Sequence, residues 1–180
     1  MNLLSQENAI FLIIDVQEKL VNMLSDLSVK DSAIKLAKTA NILDVPVIIS
    51  EQYPKGLGQT IQEIKDSCDS ADYIEKTSFS ICNQENFVEL LNSKNKKQVV
   101  LFGIETHICV LQTAFDLANN GYEVFVVKDA CGSRMQENKD LALNRMQHNG
   151  IQILSLEMVL FELLKSSKHE KFKEVQTLIK

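Results

Sequence analysis

Three side chains in this sequence have the types and places to form a nucleophile with supporting charges: Asp15, Lys76 and Cys109. Cys109 lies in Gly103-Ile104-Glu105-Thr106-His107-Ile108-Cys109-Val110, just after the apolar run Val99-Val100-Leu101-Phe102. That run reads as a buried strand. Beyond the thiol, Leu111, Ala114, Phe115 and Ala118 recur at helical spacing. Cys109 is therefore expected in the first turn of a helix, just past the carboxyl end of a strand. Free backbone N–H groups and the positive end of the helix dipole favour an anion there. The expectation is a thiol with a lowered pKa, partly thiolate near neutral pH.

The other two residues occupy matching places. Asp15 closes the run Ile10-Phe11-Leu12-Ile13-Ile14, and Lys76 ends Asp72-Tyr73-Ile74-Glu75-Lys76. In an open parallel sheet the carboxyl ends of the strands form the site edge. An acid, an amine and a thiol on that edge point to nucleophilic catalysis. Asp15 would take the thiol proton and return it to a leaving group. Lys76 would lower the thiol pKa and hold the carboxylate. Each residue also has a plainer reading. A helix cysteine is often a small core residue, an aspartate after a strand often a turn or an N-cap, and a lysine often solvated. Cys-x5-Arg phosphatase chemistry is excluded for Cys109, because Phe115 stands where arginine is required. The D-x-D pattern of a phosphoaspartate enzyme is absent at Asp15-Val16-Gln17.

The elements that must position these residues alternate. Strands are expected at Ala9–Val16, Val45–Ile49, Tyr73–Lys76, Gln98–Phe102, Glu123–Lys128 and Ile151–Leu154. Helical patterning covers Gln17–Asp44, Glu85–Asn92, Thr106–Asn120, Glu137–Asn149, Leu156–Leu164 and Glu170–Ile179, with about one turn at Ile61–Lys65. Asn119-Asn120-Gly121 offers a left-handed stop for the helix after Cys109. Alternation of this kind implies an α/β fold with a parallel sheet covered on both faces. One domain over residues 1–180 is expected, since a chain of this size buries about 70% of its unfolded surface.

The motifs IIDVQ, EKTSFS and GIETHICV together resemble the isochorismatase-like cysteine hydrolases, a family that includes nicotinamidases and N-carbamoylsarcosine amidase. Glu51-Gln52-Tyr53-Pro54-Lys55-Gly56-Leu57-Gly58 and Asp129-Ala130-Cys131-Gly132-Ser133-Arg134 look like the isochorismatase domain-containing subgroup. The resemblance spans roughly Ala9 to Leu160. It implies a three-layer α/β/α fold with a six-stranded, mainly parallel sheet in the order 3-2-1-4-5-6. That order sets strands one and four side by side, so Asp15 and Cys109 meet at the switch point. It further implies an Asp15-Lys76-Cys109 triad and a cis peptide between Ile104 and Glu105. The backbone N–H groups of Glu105 and Cys109 would then form an oxyanion hole.

Nicotinamidases of the family carry an Asp-x-His metal motif after the second strand. Here Ser50-Glu51-Gln52-Tyr53 stands instead, and the histidines are His107, His148 and His169. No catalytic metal and no cofactor are expected. Gln17, Gln52, Tyr53 and Phe79 are candidates to line a substrate pocket, though loop or packing duty explains them equally well. Cys131 is expected in a loop after the fifth strand. Cys68, Cys82, Cys109 and Cys131 show no C-x-x-C spacing, so neither a disulfide framework nor a zinc site is indicated.

A formal net charge of −5 disfavours nucleic acid as a partner. No apolar run reaches membrane-spanning length. The N-terminal apolar stretch ends in an acid and lacks signal-peptide form, so a cytoplasmic setting is expected. The resemblance implies a homo-oligomer, dimer or tetramer, acting on a small-molecule substrate. The favoured activity is hydrolysis of a C–N bond in a small amide or ureide through a thioester. The alternatives are vinyl-ether hydrolysis of the isochorismatase type, a non-catalytic binding or scaffold protein, and a redox sensor in which Cys131 resolves Cys109.

Overall fold

The computed structural model describes residues 2–180. Six strands form one parallel sheet: β1 (Ala9–Ile14), β2 (Val47–Gln52), β3 (Asp72–Lys76), β4 (Gln98–Ile104), β5 (Glu123–Gly132) and β6 (Gln152–Leu154). Their order is β3-β2-β1-β4-β5-β6, all parallel, as the family resemblance implies. Around them run α1 (Glu18–Val21), α2 (Ser28–Ile42), α3 (Pro54–Leu57), α4 (Gln62–Lys65), α5 (Glu85–Ser93), α6 (Leu111–Asn119), α7 (Gln136–His148), α8 (Leu156–Leu164) and α9 (Phe172–Gln176).

Burial explains which runs were readable as strands. Every residue of β1 and β4 is buried, as expected for central strands covered by helices on both faces. Edge strand β3 alternates between half-buried and exposed positions up to its buried last residue, Lys76, and carries Asp72 and Glu75, which discourages edge pairing. β1 lies between β2 and β4, so Asp15 emerges between their carboxyl ends. Gly103 permits the close β1–β4 approach there. A Cβ on it would sit 2.0 Å from the Ile14 carbonyl oxygen, and its φ is +136°.

Three elements depart from the sequence reading. The long helix expected over Gln17–Asp44 is two helices. The Asp26 carboxylate accepts from both the Ser28 N–H and the Ser28 hydroxyl, a local turn that restarts the helix at Ser28. Cys109 lies in a π-helical turn, Thr106–Val110, that precedes α6, and not in an ordinary α turn. β5 runs four residues past Lys128 to Gly132, so Cys131 is a fully buried strand residue and not a loop residue. Its register against β4 shifts between Leu101 and Gly103: Leu101 faces Val126, yet Gly103 faces Cys131. That bulge carries the end of β5 up to the turn that bears Cys109.

Candidate active site

Three strand ends deliver the three candidate side chains. Asp15 follows β1 with a left-handed φ of +51°. Lys76 is the last residue of β3, and Cys109 is in the turn after β4. All three are buried, Asp15 completely. Lys76 Nζ donates to Asp15 Oδ2 at 2.6 Å and to Gln52 Oε1 at 2.7 Å. The other Asp15 oxygen accepts from Ser50 Oγ at 2.7 Å. The Cys109 thiol is close enough to interact with both the Asp15 carboxylate and the Lys76 ammonium.

The thiol does not have the lowered pKa expected from its place at a helix start. Burial pushes it up to about 12, the Asp15 charge adds to the rise, and Lys76 opposes it. Removal of water therefore outweighs the charge of one lysine that is already paired. At rest Cys109 is a neutral thiol facing a carboxylate.

The other cysteines are raised as well, Cys68 and Cys131 to about 12 and Cys82 to about 11, with burial the largest cause in each. Folded thiols thus keep protons that unfolded thiols release near pH 9. A native state that binds more protons loses stability as pH rises. This contribution is complete below about pH 9 and falls away towards about pH 12. Tyr73 and Tyr122, raised by burial too, act in the same direction. The urea midpoint should therefore drop between about pH 8 and about pH 10.5. An unchanged midpoint would show that the thiols are not buried as described.

The four pocket candidates separate. A cleft of about 310 Å³ opens beside Lys76, with Tyr53, Thr77 and Gln84 on its walls. Tyr53 is more than half exposed there. Gln17 is not on the cleft. It is fully buried and acts as a strut, donating to the carbonyls of Gln52 and Gly58 while accepting from the Gln52 N–H. Gln52 holds Lys76, and its amide donates to the Thr77 carbonyl. Phe79 is exposed on the loop after β3 and is not among the cleft residues. Glu51, where the nicotinamidases have their metal motif, spends its carboxylate on the Thr60 N–H. Among the described residues no cluster of three or more His, Cys, Asp or Glu side chains converges as metal ligands do.

The peptide between Ile104 and Glu105 is cis. Cys131 pairs with Gly103 of β4 and has no exposed surface. All four cysteines are free.

Two features were not readable in the sequence. Ser50 is an ordinary strand residue until the β1–β2 register sets it opposite Ile14, beside Asp15. The Glu105 side chain caps nothing in its own turn and instead binds Arg134. The first needs the sheet order and the second needs the β5 bulge, and neither leaves a local signal.

With the fold and site in place, the class is defined. The isochorismatase domain model matches residues 9–158. The chain belongs to the isochorismatase family. It is 40% identical over 177 residues to isochorismatase domain-containing protein 2 of Xenopus laevis, covering 98% of this chain and 85% of that protein. The structure of MAR1 ribonuclease from Caenorhabditis elegans aligns with a TM-score of 0.92 and 36% identity, covering 99% of this chain and 92% of that one. The YcaC gene product of Escherichia coli, described as an octameric hydrolase of unknown specificity, aligns with a TM-score of 0.94 and 26% identity. It covers 99% of this chain and 90% of that one. No helix among the described residues is long and apolar enough to cross a membrane.

Proposed function

We propose that this protein is a metal-independent cysteine hydrolase of small amides or ureides, with Cys109 as nucleophile. The observation that carries the reading is the fully buried Asp15–Lys76 ion pair set against the Cys109 thiol. The thiol proton passes to the Asp15 carboxylate as sulfur attacks the carbonyl carbon, and the carbonyl electron pair moves onto oxygen. The N–H groups of Glu105 and Cys109 receive that oxyanion. The carbonyl re-forms, the C–N bond breaks, and the amine leaves with the proton from Asp15. Water then gives a proton to Asp15 and adds to the thioester carbon. The C–S bond breaks, and sulfur recovers its proton. A neutral resting thiol suits this sequence, since the proton needs to leave only when a carbonyl arrives.

Four free cysteines agree with a reducing, cytoplasmic setting. Assembly as a homo-oligomer belongs to the same reading, and the octameric Escherichia coli hydrolase supports it.

The name of the nematode structure raises RNA cleavage as a second reading. Two observations oppose it. The net charge of −5 works against binding a phosphate backbone, and Lys76 is already committed to Asp15 and Gln52.

The test is ammonia release from a panel of small primary amides and ureides, with acid-quenched mass spectrometry for an acyl group on Cys109. Wild type should release ammonia and carry the acyl group, and Cys109→Ala should do neither. Equal release by Cys109→Ala would sink the proposal. Cys109-dependent loss of an RNA substrate, with every amide untouched, would replace it with the second reading.

A further inference from the structure

The segment Asp129–Arg134 takes no part in the proposed chemistry, yet it packs against the turn that bears Cys109. Three of its successive residues bind Glu105, Thr106 and His107, the cap and first two residues of the turn that carries Cys109. The Gly132 carbonyl accepts from Thr106 Oγ1 at 3.0 Å. Ser133 Oγ shares a hydrogen bond with His107 Nδ1 at 3.0 Å. The Arg134 backbone N–H and Nε both donate to Glu105 Oε2, at 2.9 and 3.0 Å.

We propose that this clamp fixes the nucleophile turn, and that Glu105 and Arg134 are its positioning residues. The inference rests on Cys109 being the nucleophile. Several observations support it. The turn is π-helical, closed by the Val110 N–H on the Glu105 carbonyl at 3.3 Å, and it has no side-chain cap of its own. Such a turn is rare and is not held firmly by its own ladder. The Glu105 carboxylate, 7% exposed, needs a charged partner at that depth. Arg134 supplies one from outside the turn, with its own side chain 55% exposed. The clamp is tied to the sheet, because Cys131 and Gly132 pair with Gly103 and Ile104. Sheet and clamp together thus hold the thiol in its buried place beside Asp15. Loosening the clamp lets water reach Cys109 and moves its pKa down towards that of an ordinary thiol.

The test is the rate of Cys109 alkylation by iodoacetamide near pH 8.5, read by peptide mass spectrometry alongside Cys68, Cys82 and Cys131. Arg134→Ala and Glu105→Ala should label Cys109 at least about tenfold faster than wild type, the change in thiolate that one pKa unit brings. The other three cysteines should be unaffected. Glu105→Gln, which keeps an acceptor for the Arg134 N–H, should fall between. Ser133→Ala removes one clamp bond without stranding a charge, and should show a smaller selective rise if the larger changes prevent folding. Unchanged labelling of Cys109 would overturn the proposal. So would faster labelling of all four cysteines, which marks a general loss of structure. Failure of the nucleophile reading looks different: Cys109→Ala would then release ammonia as fast as wild type, whatever the clamp variants do to Cys109 labelling.

Discussion

Replacing Asp15 with asparagine is expected to abolish turnover while making Cys109 easier to alkylate. The two effects share one cause. In the proposed mechanism the carboxylate is the base that removes the thiol proton and the acid that returns it to the leaving amine. An amide can do neither, and the loss of such a group costs roughly 100- to 10,000-fold in rate. The same carboxylate is one reason why the thiol pKa stands at about 12. With it gone, Lys76 still favours the thiolate, so the thiolate fraction near neutral pH rises. Asparagine has nearly the same shape, and Ser50 Oγ can still donate to its oxygen. Steady-state hydrolysis and iodoacetamide labelling of the same preparation should therefore move in opposite directions. Parallel loss of both would mean that the variant has misfolded. Retained turnover would remove Asp15 from the mechanism.

That opposition was not visible in the sequence, and the reason is physical. The strand β1 and its terminal acid are local features: an unbroken apolar run and then Asp15. The same holds for β4 and the glycine turn before Cys109. Lys76 was readable only by its place at a strand end. The sequence reading set the thiol at a helix start and inferred a lowered pKa from the dipole alone. Burial depends on everything packed around the turn, including the β5 end that the β4–β5 bulge carries upward. Residues far apart in the chain set that burial, and its effect on the thiol is the larger one. The strut role of Gln17 leaves no local signal for a related reason. Polar side chains near a site look alike in sequence, whether they face substrate or, as here, tie the β2 end to the Gly58 loop.

Replacing Lys76 with methionine should destabilise the protein by about 3–5 kcal/mol, the usual result of removing one partner from a buried ion pair. Asp15 would keep Ser50 as a donor but lose its counter-charge at zero exposure. Gln52 Oε1 would lose its donor as well. The double variant Asp15→Asn, Lys76→Met should lose much less than the sum of the single losses, because no charge is then left stranded. Urea midpoints of the four proteins measure this directly. Additive losses would show that the pair is not coupled as its 2.6 Å contact requires. The double variant, which leaves no buried charge without a partner, bears on function as well. A buried ion pair is weak evidence for stability, since well-packed apolar replacements often do as well or better. If the fold stands without the pair, packing cannot be the reason to keep an acid and an amine at the ends of β1 and β3. What remains is the role proposed for them beside their common neighbour: to take the thiol proton when a carbonyl arrives and to return it at the end.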